Sequence, residues 1–530
     1  MKKKLLAALL AAAMMLGISA CGPTEPTPSA NAGNPGGTQS TAPEGQGGGS
    51  TPAKDSVVLA TAGEPVRFMA QSSQSCSGDD NLVLSNVYDC LLFLEPNGEL
   101  TPALAESYEV SEDGLTYTWH LRKGVKFHDG SEMTAEDVKF TFDLGAAGPI
   151  GAALFINLES TEVVDDSTVV MHLSAPYAAF PYGVASRLGG IISKAYFDKV
   201  GGEDGYLAAP MGTGPYKFVE AVSGSHITLE AFEDYWRGPA PIKTATIQIV
   251  ADTNTQVLGL QNGDYDAIRN PSIEVCTRFD NVDGVDWNYT DSTGRITLYL
   301  SAWGGHDWDL NFRKAVQCAI NKDDINAATN SGYATILDID MCPMYGGYPT
   351  EGIEKVKYDP DQAKAYLAQS SYNNEPYSIL VQSGTTYEAA AKIIQAQLMA
   401  VGINCQVNSV DGQTKTSLQT NRDFDALIGE NLSSLVDADG VKSFFLFNRG
   451  DPSRLYEREE ELCDLFAKGA TLQGDARLPY YVDACNIITE EAYMVPLYNG
   501  IITVAHNSAL QGVDAHCLGN FNFYYWSWAK

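Results

Sequence analysis

Four short stretches of the chain hold residue types that do chemistry, and their spacing limits what that chemistry is. His306-Asp307-Trp308-Asp309 sets an imidazole among carboxylates, a donor set for a metal. No second His stands near it, and Asp309 reads better as the N-cap of a following helix. Phe127-His128-Asp129-Gly130 offers a His/Asp pair for general acid–base work, while Asp-Gly is equally a turn signal. Gly212-Thr213-Gly214-Pro215-Tyr216 has glycines enough to approach a phosphate. Phosphate cradling needs amide donors opening a helix; Pro215 removes one, and strand-like Lys217-Phe218-Val219 follows, so a structural turn is expected. Phe521-Asn522-Phe523-Tyr524-Tyr525-Trp526-Ser527-Trp528 could stack a sugar or peptide, but is expected to be a returning strand packed on the first half of the fold. There is no G-x-x-x-x-G-K-[ST] loop, G-x-S-x-G elbow or H-E-x-x-H pair. No catalytic residue, metal or cofactor is expected, and this inventory does not argue for an enzyme.

The elements that would position a site start beyond residue 54. Lys2-Lys3-Lys4 precede an apolar run, Leu5 to Leu16, of secretory-signal length. Ile18-Ser19-Ala20-Cys21 then resembles the lipobox of bacterial lipoproteins, which implies lipidation of Cys21 and cleavage before it. Two acyl chains hold a protein durably on a bilayer. Gly22 to Ala53 contains eight Gly, six Pro and eight Ser or Thr, with no large apolar side chain to offset ordering. Such a tether spans about 30 Å. The formal charge is −32, and −35 without the three leader lysines, which disfavours nucleic acid and anionic lipid headgroups as partners. Beyond Cys21 nine cysteines remain, an odd number without C-x-x-C; Cys76/Cys90 or Cys463/Cys485 could pair, but reduced thiols are expected.

Periodicity places strands at Ser56–Ala60, Leu115–Leu121, Ile296–Leu300 and Ile403–Val407. It places helices after the Thr134 cap, from about Asn311, from Asp359-Pro360, over Glu388–Val401 and over Arg477–Ala492. Interleaved strands and helices over so long a body mean an α/β architecture with more than one lobe.

An ordered set of landmarks runs through this body. It comprises Pro102-Ala103-Leu104-Ala105-Glu106-Ser107, Ser111 to Arg122, Gly124 to Gly130, Thr134 to Val138 and Gly212 to Tyr216. It continues with Leu260-Gln261-Asn262-Gly263-Asp264-Tyr265-Asp266, Phe312-Arg313-Lys314-Ala315-Val316, Ala319 to Lys322 and Tyr358-Asp359-Pro360. With these the chain resembles the solute-binding proteins of ABC importers in the peptide/nickel (oligopeptide/dipeptide-binding) family. The resemblance implies a two-lobed, Venus-flytrap α/β fold with an extra domain inserted in the first lobe. By analogy lobe I takes 55–86, 174–292 and 498–530, the insert 87–173, and lobe II 293–497, after a signal at 1–21 and a tether at 22–54. It further implies a monomer, tethered outside the cytoplasmic membrane, that closes on a small-molecule or peptide ligand and delivers it to the importer's permease and ATPase subunits.

By the same resemblance the ligand is lined by Ser77, Asp79, Asp80, Trp303, Tyr387, Glu430, Asn431, Ser433 and Asp437. Peptide-binding members hold the ligand's ammonium with an Asp shortly after Gly-Trp. Here Glu430 replaces the Trp, Ser433 falls at the Asp, and no Lys or Arg lies between Tyr372 and Ala391 for a ligand carboxylate. Acids without a matching base (Asp79, Asp80, Glu430, Asp437) favour a peptide-like, cationic or amine-bearing ligand. The competing readings are an oligosaccharide or metal-chelate receptor, suggested by Trp303 and Tyr387, a tethered surface hydrolase, or a signalling receptor.

Overall fold

The computed structural model describes residues 54–71, 77–148, 151–303, 306–433, 435–443 and 457–529. Cys21, the tether up to Ala53 and Cys76 therefore lie outside the described residues, as does the Trp303 side chain. Among the described residues no helix is long and apolar enough to cross a membrane.

The strands of the two larger sheets are, in chain order, β1 (Ser56–Thr61), β2 (Ala105–Val110), β3 (Thr116–Leu121), β4 (Leu158–Asp165), β5 (Thr168–Leu173), β6 (Tyr216–Val222), β7 (His226–Ala231), β8 (Thr244–Ile249), β9 (Ala267–Arg269), β10 (Val285–Leu300), β11 (Tyr377–Gln382), β12 (Cys405–Val410), β13 (Ala426–Leu432) and β14 (Met494–Asn507). The helices needed below are α1 (Asn81–Val87), α2 (Ala135–Ala147), α3 (Leu310–Ala319), α4 (Thr386–Val401), α5 (Gly412–Thr420) and α6 (Leu478–Glu490).

Ten strands form one mixed sheet in the order β12-β11-β13-β10-β14-β9-β1-β8-β7-β6, and β2-β3-β5-β4 form a separate antiparallel sheet. A parallel trio, β12-β11-β13, forms one end of the large sheet, and a second, β9-β1-β8, lies in the other half with antiparallel β7 and β6 at its edge. The long antiparallel pair β10/β14 joins the two ends. Burial follows that division. Val57, Leu59, Leu229 and Ile247 share a core with Trp119, Phe142 and Phe180, so the four-stranded sheet packs on the β1 end. At the other end successive residues feed opposite faces: Ile296, Leu298, Ile379, Val381 and Ile428 meet Ile394 and Leu398 of α4. Tyr299, Leu380, Leu427 and Met494 meet Tyr481 and Ile488 of α6. Strands buried on both faces need the near-continuous apolar runs that these segments have.

Local signals act as their chemistry dictates. Thr134 and Asp137 form a reciprocal capping box at α2. Asp309 accepts from the Phe312 amide at 3.0 Å and starts α3, the N-cap that its position before the helix predicts. Gly402 ends α4 in the left-handed region, φ 101°, where a side chain is strained. The C-terminal aromatics differ from expectation. Only Ser527–Trp528 pairs as a strand, with Leu510–Gln511. The Asn522 side chain accepts from the Tyr524 amide and turns the chain into a short 3-10 segment that drops Phe521, Phe523 and Trp526 into the core. Cys463 and Cys485 are free thiols, as are the other described cysteines.

The Asp129 carboxylate accepts from the amide and hydroxyl of Ser131, the hydrogen bonding of a turn. The half-buried His128 ring accepts the Gly212 amide at Nδ1 (3.4 Å) and donates from Nε2 to the Gly214 carbonyl (3.0 Å), pinning the glycine turn. Burial pushes its imidazole down to about 4 from 6.5. An unfolded chain therefore takes up a proton here below pH 6.5 while the folded one stays neutral. Stability should fall between pH 6.5 and 4 by up to about 3 kcal/mol from this group. In urea titrations at pH 7, 5.5 and 4.5, His128→Gln should lose less stability on acidification than the parent; equal slopes would refute the assignment.

Candidate functional site

The polar centre of the molecule lies where β10, β13 and β14 run side by side. On one edge β13 pairs with β10 from Ala426 to Leu432. On the other it pairs with β11 only at Ala426 and Leu427. Beyond that point β11 has passed and the chain returns as α4, so the edge from Gly429 to Leu432 has no partner strand among the described residues. An open edge beside buried surface is a template for another extended backbone.

Glu430 stands on this open segment. Its Oε2 accepts the Tyr387 hydroxyl at 2.5 Å, from the first turn of α4. Room for the carboxylate comes from two glycines on the neighbouring strands. A Cβ at Gly294 of β10 would sit 2.3 Å from Glu430 Oε1, and one at Gly500 of β14 would sit 2.9 Å from it. The Ser292 hydroxyl borders the same space, 2.5 Å from the Gly500 Cβ position. Lys415 on α5 lies over Gly429, its Nζ 3.2 Å from where a Cβ would be. Burial pushes the Glu430 carboxyl up, with Tyr387 and Lys415 pulling the other way; burial likewise lowers the Lys415 ammonium. The arrangement is a half-buried acid with one oxygen held by a phenol and no described hydrogen bond on the other.

On the opposite face of the same strands, Asn431, Arg295 and Asn499 form a row in register across β13, β10 and β14. Arg295 donates to the Tyr345 hydroxyl at 2.8 Å and lies 3.5 Å from Asp340. Asn431 Nδ2 and both polar atoms of the fully buried Asn499 side chain have no partner among the described residues. Ser433 is spent on a local turn, exchanging hydrogen bonds with the Leu435 backbone. Asp437 takes both ends of the Arg477 guanidinium, at 2.7 and 2.6 Å, and is completely buried. Two residues on, Asp439 accepts the Tyr177 hydroxyl at 2.8 Å, and the Ala178 amide reaches the Ala470 carbonyl at 2.8 Å.

Ser77, Asp79 and Asp80 come together at the start of α1. Asp80 is saturated: Oδ1 accepts the Val66 and Arg67 amides, and Oδ2 the amide and hydroxyl of Ser77. Asp79 pairs with Arg269 of β9 at 2.5 Å, and Gly63 leaves room for its carboxylate. The expectation that these acids lack a base is thus overturned. Asp79 has Arg269, Asp437 has Arg477, Glu430 has Lys415 beside it, and buried Asp80 is satisfied by backbone amides. The partners lie 190 and 40 residues away from Asp79 and Asp437, beyond the reach of a local sequence window. Sequence reasoning also missed Ser292, Gly294 and Gly500, for which a glycine inside an otherwise apolar strand was the available signal.

Residues 99–453 match the family model of bacterial extracellular solute-binding proteins, family 5. The glutathione-binding protein GsiB of Pectobacterium atrosepticum is 32% identical over 342 residues, spanning 62% of this chain and 64% of its own. GsiB of Escherichia coli K12 is 28% identical over 453 residues, 81% of this chain and 86% of that one. Among solved structures, the ABC transporter substrate-binding protein CtaP of Listeria monocytogenes superposes with a TM-score of 0.81 at 23% identity, covering 90% of this chain and all of that one. A two-lobed α/β fold with crossing strands and an open polar edge between them defines a class of ligand-capturing receptors. This chain belongs to the family 5 extracellular solute-binding proteins of ABC transporters.

Removing one partner of the buried Asp437–Arg477 pair should be strongly destabilising. Asp437→Asn leaves Arg477 buried without its counter-charge and should cost about 3–5 kcal/mol. The double variant Asp437→Asn/Arg477→Met should recover part of that, measured by urea unfolding.

Proposed function

We propose that the chain captures peptide-like solutes bearing an amine or other cationic group between its two lobes, and hands them unaltered to an ABC permease driven by its ATPase. The observation that carries this reading is the open edge of β13. An extended ligand backbone laid along Gly429–Leu432 would complete the sheet, while the free oxygen of Glu430 takes an ammonium in a site where burial strengthens the pair. The relatives named glutathione-binding fit a ligand of that size and backbone chemistry. The Asp79–Arg269 pair at the facing wall offers one charge of each sign to the rest of the ligand.

In this proposal lobe I is 55–86, 174–292 and 498–530, the insert 87–173 and lobe II 293–497. The lobes swing about β10 and β14 where their register breaks between Asp291 and Arg295. The Tyr177–Asp439 bond and the Ala178–Ala470 backbone bond join lobe I to lobe II and would hold the closed form. Cys21 carries the lipid anchor on the extracytoplasmic face, and the protein acts as a monomer.

Calorimetric titration of free-amine and N-acetylated versions of di- and tripeptides, with glutathione included, tests this. Free amines should bind, acetylation should abolish most of the affinity, and Glu430→Gln should weaken free-amine ligands about 10- to 100-fold, as losing a charge-assisted hydrogen bond implies. Equal binding of acetylated and free peptides with no effect of Glu430→Gln would refute the ammonium assignment. Saturable binding of oligosaccharides or metal chelates alone would move the protein to another ligand class.

A further inference from the structure

Two side chains of opposite charge flank the open edge of β13, and they reach it from opposite faces of the sheet. Successive residues of a strand point to opposite faces. Glu430 therefore leaves the edge on the side of Gly294 and Gly500, and the Cβ direction of Gly429 leaves it on the other. Lys415 of α5 comes to that second side, its Nζ 3.2 Å from where a Gly429 Cβ would stand. A Cβ there would press on the ammonium, and a larger side chain would displace it. Glycines thus clear the approach of both charges to one short stretch of edge: Gly294 and Gly500 for the acid, Gly429 for the base.

Lys415 has the features of a cation kept for a ligand. Burial lowers its ammonium, and the Glu430 carboxylate opposes that. Even so the two form no ion pair among the described residues, and Lys415 makes no hydrogen bond there. A cation present only to neutralise Glu430 would close on it; instead Glu430 Oε2 is held by the Tyr387 hydroxyl. The acids beside these residues in the chain are spent elsewhere. Asp411 takes the Gln413 and Thr414 amides at the start of α5, and Glu388 takes Lys392 and the Gly384 amide.

The first residue of an ordinary, α-linked peptide uses half of this arrangement. Its ammonium pairs with Glu430, but its α-carbonyl is a neutral amide oxygen and leaves Lys415 without a counter-charge. A free α-amino-acid head uses both. Its ammonium and carboxylate leave one carbon, so with that carbon at the edge one group meets the Glu430 face and the other the Lys415 face. The rest of the solute then continues from the side chain of the head and along Gly429–Leu432.

We propose that Glu430 and Lys415 together read an intact α-amino-acid head, so that the solutes captured are joined through its side chain, as γ-glutamyl compounds are. This rests on the β13 edge being the ligand site and narrows it. Lys415 is the specificity-determining residue, selecting a free α-carboxylate beside the ammonium.

Calorimetric titration of the full chain compares three probes: glutathione, whose head is γ-linked; its α-linked isomer Glu-Cys-Gly; and glutathione with the head α-carboxyl converted to an amide. Glutathione should bind at least about tenfold more tightly than either of the others. Lys415→Met should weaken it about 10- to 100-fold and leave the α-linked isomer within about threefold, so that the preference disappears. Lys415→Arg should restore most of the preference. The preference is a ratio within one protein, so a general loss of charge or of folded material does not imitate it. If Lys415→Met does not fold, the amidated head makes the same comparison in the parent. Equal binding of the γ- and α-linked peptides, or an equal loss for both in Lys415→Met, would overturn the head-group assignment. The amine reading would survive that result, since both peptides keep the ammonium. Equal binding of free and acetylated amines is the separate outcome that removes the amine reading, and this proposal with it.

Discussion

The pairing of β10 with β14 is the constraint on which the rest of the molecule depends. Each strand is long enough to belong to both ends of the ten-stranded sheet, and β10 is buried without interruption from Ser292 to Leu300. A continuous ladder there would make one stiff slab. The register instead breaks between Asp291 and Arg295, where Ser292, Thr293 and Gly294 have no partner on β14. Such an irregularity bends a strand and increases local twist. The same interval contains the glycine that admits the Glu430 carboxylate, with Gly500 facing it from β14. A methyl group at either position would overlap the carboxylate or force it out, so the backbone that can flex and the pocket that holds charge are built from the same few atoms.

A chain with a formal charge of −32 must decide where its acids can be buried. Three solutions appear among the described residues. Asp80 is neutralised by backbone and hydroxyl donors alone, a satisfied acceptor that contributes to loop order and offers nothing to a ligand. Asp437 is matched by Arg477 in bidentate geometry, which fixes the segment after β13 rigidly. Glu430 is different in kind. Lys415 influences it without an ion pair among the described residues, and its hydrogen bond comes from a neutral phenol. Of these buried acids it keeps the most unspent capacity to attract charge, and it stands on the open edge.

How much of this was legible in the sequence depended on the range of the interaction responsible. The Thr134 capping box, the Asp309 cap and the Gly402 stop involve residues within four positions of one another, and the helices follow them closely. The strand at Ile296–Leu300 was visible, but its extension back to Val285 was not, because alternation there is diluted by half-exposed Trp287, Asn288 and Tyr289. The C-terminal aromatics read as a strand on composition, and Asn522 overrode that with a local turn. At the site, Tyr387 and Glu430 are brought together by 43 residues of intervening fold, and the ammonium-binding role inferred for the acids ignored Arg269 and Arg477. A resemblance carries positions along a chain; it does not carry the partners that the fold supplies from elsewhere.

The unpartnered carboxamides show what such a fold tolerates. Each buried polar group left without a hydrogen bond costs about 1–3 kcal/mol, a considerable fraction of the stability of a typical domain. Asn499 is fully buried with both ends unsatisfied among the described residues, and it is aligned with Asn431 and Arg295 across three adjacent strands. An apolar residue of similar shape would stabilise the empty protein at that position. A receptor that must prefer its occupied, closed form gains from the opposite arrangement, because groups that are costly when empty and satisfied when filled widen the energy difference between the two states.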